Sequence, residues 1–142
     1  QHHAATPATA IGQGAPCSVG AALACPDQRV LAMLGDGGAA YTIQALWTQA
    51  RESQNVTTVI FANNSYNILN VEYGRLGVTD VGAIAASLFD IGNPEVDWVA
   101  LAKGFGVPGG KAETAEELCA LLEQSYATPG PFLIQASGEI KR

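Results

Sequence analysis

Apolar positions in this chain fall into short blocks separated by Gly, Pro, Asn and Asp, and the blocks alternate between strand-like and helix-like spacing. Residues 29–34 form a run that is apolar after Arg29, as expected for a strand covered on both faces. Residues 41 to about 52 carry Ile43, Leu46, Trp47 and Ala50 at helical spacing. Residues 55–62 are rich in β-branched side chains and read as a second strand. The stretch from Val30 to Leu69 is thus a strand–helix–strand unit. Such units join parallel strands by a right-handed crossover.

The flanking blocks extend the alternation. Residues 1–9 carry no apolar period and read as a loop or the remnant of a longer chain, leaving 10–142 as the domain. Residues 10–16 are a Gly-rich turn into a helix whose first turn tolerates Pro16. Val19, Ala22 and Leu23 form its narrow apolar face, and Ser18, Gly20 and Ala21 keep it slim. Residues 67–95 lose regularity at Gly74, Gly77, Gly82, Gly92 and Pro94, although Ile68, Leu69 and Val71 suit a short helix. An irregular segment of that length inside a compact domain is usually functional, here a loop over a ligand.

Asp97 opens a short helix with Trp98, Leu101 and Ala102 inward, and residues 110–112 form a weak strand. Thr114 and Glu117 make a capping box for a helix that buries Leu118, Leu121 and Leu122 and runs to about Tyr126. Pro129-Gly130-Pro131 is a turn before a last strand over 132–136. Strands alternating with helices predict an α/β domain: a three-layer open parallel sheet flanked by helices.

Composition narrows the function. At 142 residues the chain makes one domain with a sizeable core. No apolar run reaches the roughly 18 residues of a membrane span, and no secretory pattern opens the chain. Charged residues are 14% of the chain against 48% apolar, where about 25% charged is usual. That deficit predicts a surface covered by other domains or subunits, in a homo-oligomer. A net charge of −6 with seven Lys plus Arg excludes a nucleic-acid footprint. Cys17, Cys25 and Cys119 are odd in number and form no C-x-x-C pair, which suits reduced, packed thiols in the cytoplasm. His2 and His3 belong to the opening loop, where a metal role competes with plain loop structure.

Asp36 and Asn63 fall just past the carboxyl ends of the two predicted parallel strands, where open α/β sheets bind ligands. A carboxylate and an amide oxygen are hard donors. Mg²⁺ takes one or two carboxylates and fills its octahedron with phosphate and water oxygens. Gly35, Gly37 and Gly38 allow a tight turn and close approach of an anion to backbone N–H groups. The helix expected after Ala40 points its positive end at the same place. Singly, a Gly-Asp-Gly turn or an Asn-Asn loop end is usually only a turn. Together they describe a site for a Mg²⁺-bridged diphosphate.

Here the chain resembles the diphosphate-binding (PP) module of thiamine-diphosphate-dependent enzymes, of the acetolactate synthase, benzoylformate decarboxylase and pyruvate decarboxylase group. The matching residues are Val19-Gly20, Pro26, Leu31, Met33, Gly35-Asp36-Gly37-Gly38 and Asn63-Asn64, and the likeness runs from Ala10 to Ala136. The resemblance implies Asp36, Asn63 and the Ser65 carbonyl as Mg²⁺ ligands. It implies Ala10, Ile11, Gly12, Gly35, Gly37, Gly38 and Tyr66 as further contacts to thiamine diphosphate. Ile11 matches the residue that props the cofactor's two rings in a V, and many relatives carry Ser where this chain has Gly38. Ile68, Leu69 and Glu72 match positions that line the pocket for a small 2-oxo acid. The segment 67–73 is most like acetolactate-synthase-type members.

The family's cofactor-activating glutamate comes from a separate pyrimidine-binding (PYR) domain of the same or a neighbouring subunit. Glu72, Glu95 and Glu139 do not occupy its place. The resemblance therefore implies half of a decarboxylase or carboligase site, inactive alone. A non-catalytic α/β binding or assembly module is the competing reading. Among enzymes, benzoylformate decarboxylase and benzaldehyde-lyase-like activities stay open beside acetolactate synthase.

Overall fold

In strand β2 (Val56–Ala62) every side chain except Phe61 is buried, so this strand lies at the centre of the molecule. The computed structural model describes residues 10–78 and 80–141, with side chains through Gly138. β2 pairs on one side with β1 (Val30–Gly35) and on the other with β4 (Phe132–Lys141), while β3 (Gly109–Thr114) pairs outside β4. The order is β1-β2-β4-β3, and every pairing is parallel.

Alternating side chains of the sheet feed two cores. On one face Ile60, Ala62 and Leu133 pack with Leu46 of α3 (Ala45–Arg51) and with Trp98 and Ala102 of α6 (Trp98–Gly104). Ala32 and Val56 meet Ala22 of α1 (Gly14–Ala24) on that side. On the other face Val59, Ile134 and Ala136 pack against Leu118, Leu121 and Leu122 of α7 (Ala115–Ala127). The expected three layers are present. The capping box is also present: Glu117 N donates to Thr114 Oγ1 at 3.2 Å while Thr114 N donates to Glu117 Oε2 at 3.3 Å.

The chain crosses from β1 to its neighbour β2, then jumps to the far edge at β3 and returns to β4. Strand order therefore reverses between β2 and β4. Ligand crevices of open α/β sheets lie beyond the carboxyl ends of strands at such a point.

Several expectations need correction. β1 is an edge strand, covered on only one face: Leu31 and Met33 are 43% and 67% exposed, because α7 reaches only the other half of that face. α1 buries Ala15, Ser18 and Ala22, not Leu23, since small side chains let its backbone lie close to the sheet. The helix expected over 41–52 is shorter, α3 (Ala45–Arg51), preceded by turns over 40–44 and by a separate short helix, α2 (Asp36–Ala39), that the sequence pattern does not show. Of the four residues expected on its inner face, Leu46 is buried and Trp47 is exposed. Trp47 instead lies under Arg51, whose guanidinium carbon is 5.5 Å from the ring centroid.

The short helix expected at Ile68, Leu69 and Val71 is present as α4 (Asn67–Arg75), while the rest of 67–95, expected as irregular chain, also holds α5 (Ala83–Ser87); neither helix buries a residue. Leu101 of α6 faces outward, leaving Trp98 and Ala102 inside. The last strand extends well past Ala136 to Lys141. Cys17, Cys25 and Cys119 are free as expected but exposed, not packed. The calls on residues 1–9, including His2 and His3, and on the Glu139 side chain fall outside the described residues.

Candidate functional site

The site begins where β1 stops. Gly35 is extended and caps α2, whose first residue is Asp36. The helix amino terminus at this place is therefore α2's and not that of a helix starting after Ala40. Asp36 is 3% exposed. Its Oδ1 accepts the Gly37 N–H at 2.8 Å and its Oδ2 accepts the Asn64 N–H at 2.6 Å. That second bond ties the loop after β1 to the loop after β2.

The second loop is held by its own polar groups. Asn64 sits at φ 56°, the left-handed region that Asn tolerates better than most residues. Asn63 Oδ1 accepts the Ser65 N–H at 3.0 Å. Ser65 forms a β-bridge with Asp90, Tyr66 N donates to the Phe89 carbonyl at 2.8 Å, and Ile91 N donates to the Asn64 carbonyl at 3.0 Å. The segment after α5 thus clamps this loop from above.

Two cavities flank the loops. The larger, about 620 Å³, is walled by Ala10, Ile11 and Gly12 of the first loop, by Gly35, Gly37 and Gly38, and by Tyr66, Ile68 and Leu69. Met33, Tyr41 and Leu88 also line it, with Leu34 and with Gln13, Gly14 and Ala15 at the start of α1. Thr42 Oγ1 donates to the Gly12 carbonyl, which fixes the first loop to the turn after α2. Gly12 has φ +87°, and a β-carbon there would lie 2.7 Å from Tyr41 Cβ. The Tyr66 ring lies on Gly37, where a β-carbon would sit 2.6 Å from its Cδ1 and Cε1. Burial pushes the Tyr66 phenol above its ordinary pKa, helped by Tyr41, which also hydrogen-bonds it, and by the Asp36 charge. The Tyr66 phenol is therefore a neutral hydrogen-bonding group at physiological pH.

The smaller cavity, about 530 Å³, lies on the other side of the second loop among Asn63, Asn64, Ser65, Asn67, Ser137 and Gly138. Asp36 lines neither cavity but is hydrogen-bonded to a residue of each. Every expected cofactor contact outside the metal set therefore gathers on the larger cavity, whereas Asn63 and Ser65 open on the smaller. Ile68 and Leu69 line the larger one as expected. Glu72 lines neither; it pairs with Arg75 one turn along α4 at 2.5 Å.

Tyr41, Met33 and Leu88 were missed on the larger cavity and Ser137 and Gly138 on the smaller. Tyr41 looked like the start of a helix, and Met33 like the inside of a covered strand. Leu88, Ser137 and Gly138 come from distant stretches that no local pattern connects to the site.

The donor set suits a divalent cation. The ion pairs among the described residues are Arg51–Glu52, Arg75–Glu72 and Lys111–Asp97, so no described basic side chain pairs with Asp36. A buried charge normally needs a partner. Here two backbone N–H groups serve the carboxylate, and Asn63 supplies a neutral oxygen on the adjoining loop. The carboxylate, amide and carbonyl oxygens of Asp36, Asn63 and Ser65 are hard donors of the kind Mg²⁺ takes.

Comparison with known proteins then decides the family. Residues 1–136 match the family described as thiamine pyrophosphate enzyme, C-terminal TPP binding domain. The chain belongs to that family. It is 49% identical over 126 residues to IlvX of Mycobacterium tuberculosis H37Rv, a protein provisionally named as an acetolactate synthase large subunit; the match covers 88% of this chain and 24% of IlvX. It is 37% identical over 125 residues to benzoylformate decarboxylase of Pseudomonas aeruginosa PAO1, covering 88% of this chain and 22% of that protein.

The solved structure of a thiamine diphosphate-dependent 4-hydroxybenzoylformate decarboxylase from Rhodococcus jostii RHA1 superposes with TM-score 0.81 at 34% identity, over 92% of this chain and 24% of that one. The thiamine-diphosphate-binding chain thus spans about a quarter of the length of these relatives. Among the described residues no helix is long and apolar enough to cross a membrane.

Proposed function

We propose that this chain holds the Mg²⁺-diphosphate end of thiamine diphosphate as the PP module of a 2-oxo acid decarboxylase or carboligase of acetolactate synthase type, a lyase or transferase. The observation that carries the reading is Asp36: a buried carboxylate with no basic partner among the described residues, hydrogen-bonded across to the Asn63–Tyr66 loop. Asp36, Asn63 and the Ser65 carbonyl would hold Mg²⁺. Gly37 and Gly38 would offer backbone N–H groups, and Ile11 would support the rings from the first loop. When bound, thiamine diphosphate supplies the nucleophilic carbon and the electron sink for decarboxylation. The chain's own residues bind, orient and shield it from water. Ile68 and Leu69 would face the substrate.

The module needs a partner. α4 and α5 bury nothing, and Ile68, Leu76, Ile84 and Leu88 are each at least 62% exposed. Large apolar side chains gathered on two helices that bury nothing suit an interaction site. We assign it to a PYR domain of the same or a neighbouring subunit in a homo-oligomer, which would also bring the activating glutamate. Three exposed unpaired thiols suit a cytoplasmic location.

A benzoylformate decarboxylase-type lyase is the second reading, favoured by the apolar wall of Ile68, Leu69 and Leu88. Calorimetric titration with Mg²⁺ and thiamine diphosphate, on the chain and on Asp36→Ala, tests the core of the proposal. Weak binding by the chain and none by the variant is expected, with no turnover of pyruvate by the chain alone. Equal binding by both proteins would remove the cofactor reading, and robust decarboxylation by the chain alone would remove the need for a partner.

A further inference from the structure

Gly138 belongs to no part of the cavity reading above except as a wall residue, yet its backbone is pressed against the cation loop. It follows Ser137, which pairs with Ala62 in the register of β4 and β2. A β-carbon at Gly138 would lie 2.6 Å from Asn63 Cβ, 2.7 Å from Asn63 Cα and 3.0 Å from the Ala62 carbonyl oxygen. Two of these three atoms are backbone, so no rotamer change could relieve the contact. The loop after β2 would have to move.

That loop is where the oxygen donors are set. Asn63 Oδ1 accepts the Ser65 N–H at 3.0 Å, and this local turn fixes how the Ser65 carbonyl is presented. The next N–H, that of Asn64, is the one that reaches Asp36. A shift at Asn63 therefore changes all three proposed oxygen donors together. The contact also falls between β2 and β4, where strand order reverses and where α/β sheets open their ligand crevice.

We propose that Gly138 is a positioning residue: the absence of a side chain there lets β4 act as a backstop that sets Asn63, and through it Ser65, for the cation. The proposal rests on the cofactor reading above but concerns a residue that the reading does not use. It predicts that affinity for the cation depends on a residue that contributes no donor atom to it.

The test uses this chain, Gly138→Ala, Asn63→Ala, the double variant, and Gly104→Ala as a control glycine with open space around it. Calorimetry measures Mg²⁺ binding in the presence of thiamine diphosphate, and thermal unfolding checks the fold. Amide NMR of Ser65 reads the hydrogen bond to Asn63 without any ligand. Gly138→Ala should weaken Mg²⁺ binding about tenfold, shift the Ser65 amide and melt below Gly104→Ala, because two of the three atoms it displaces are backbone, while still unfolding in one cooperative step. In the Asn63→Ala background, which keeps the Cα and Cβ that the new methyl group meets but has lost one oxygen donor, it should cost less than the full tenfold, because residues acting through one another are not additive. An undisturbed Ser65 amide, or a loss that persists in full without the Asn63 side chain, would overturn the positioning role. If the unmodified chain binds no Mg²⁺–thiamine diphosphate, the cofactor reading fails, and the Ser65 amide still decides whether Gly138 sets the loop.

Discussion

The Asn64 backbone N–H donates to Asp36 Oδ2 at 2.6 Å, joining two loops 28 residues apart in sequence. One bond thus makes the Gly-Asp-Gly turn and the Asn-Asn loop end into a single structure. Among the described residues the donors to this carboxylate are both backbone N–H groups.

Asp36→Asn separates the charge from the shape. Without a cation, two effects oppose each other: the variant loses charge-assisted hydrogen bonds worth about 1.5–3 kcal/mol but no longer buries an unpaired charge. The metal-free stability should stay within about 1 kcal/mol of the parent by urea unfolding. The rise in melting temperature on adding Mg²⁺ and thiamine diphosphate should vanish. A variant that keeps the ligand-induced rise would show that the charge is not what the cation meets.

Gly37→Ala tests the packing of Tyr66. A β-carbon would overlap the ring, and overpacking typically costs about 1–3 kcal/mol. If the ring is the only obstacle, the same change made together with Tyr66→Ala should cost under about 0.5 kcal/mol beyond Tyr66→Ala alone. Both costs can be read from denaturant midpoints. A cost that persists in the double variant would mean that the backbone of α2, not the ring, rejects the methyl group.

What the sequence revealed depended on burial. β2 and α7 were legible because each buries one consistent set of residues, leaving β-branched runs and a capped apolar stripe in the sequence. α4 showed only as a weak pattern at Ile68, Leu69 and Val71 and α5 not at all, since helices that bury nothing need no apolar period. The edge position of β1 escaped for a different reason. Leu31 and Met33 read as core whichever strand covers them, and strand order is a property of the whole sheet. Asp36 and Asn63 could be placed by counting residues, but the contact of Gly138 with Asn63 could not, because it depends on where a remote strand returns.

Tyr66 gives a pH signature. Its phenol pKa is raised, first by burial and then by Tyr41 and Asp36. A group whose folded pKa lies above its unfolded value contributes stability that is full below the unfolded pKa, near 10 for tyrosine. That contribution is lost as pH rises through the folded value. Ultraviolet titration of tyrosinate should therefore show one phenol ionising later than free tyrosine, missing in Tyr66→Phe. The difference in stability between the two proteins should shrink as pH rises past that late ionisation. Identical titration curves would place the Tyr66 hydroxyl in water.

Thr114→Ala removes the side-chain acceptor that serves Glu117 N. Capping residues of this type are worth about 0.5–2 kcal/mol, and α7 alone covers one face of the sheet. The variant should lose about 1 kcal/mol in denaturant unfolding and leave cofactor affinity within about twofold, because α7 contributes nothing to either cavity. A fall in affinity matching the fall in stability would show that the site and α7 are coupled through the sheet.

The two adjacent asparagines should behave in opposite ways. Asn63 carries the side-chain oxygen aimed at its own loop, whereas Asn64 contributes backbone groups and occupies φ 56°. Glycine enters that region without steric penalty, while a residue with a β-carbon is charged about 1–2 kcal/mol there, less for Asn. Asn64→Gly should therefore keep both stability and Mg²⁺ affinity close to those of the parent, and Asn64→Ala should lose about 1 kcal/mol of stability. Asn63→Ala should instead weaken Mg²⁺ binding by roughly tenfold to a hundredfold, as lost groups around metals do, with a smaller effect on unfolding. Calorimetry and urea unfolding of the three variants settle the assignment. If Asn64→Gly loses the cation and Asn63→Ala keeps it, the ligand is Asn64, and the loop must turn over on binding to present it.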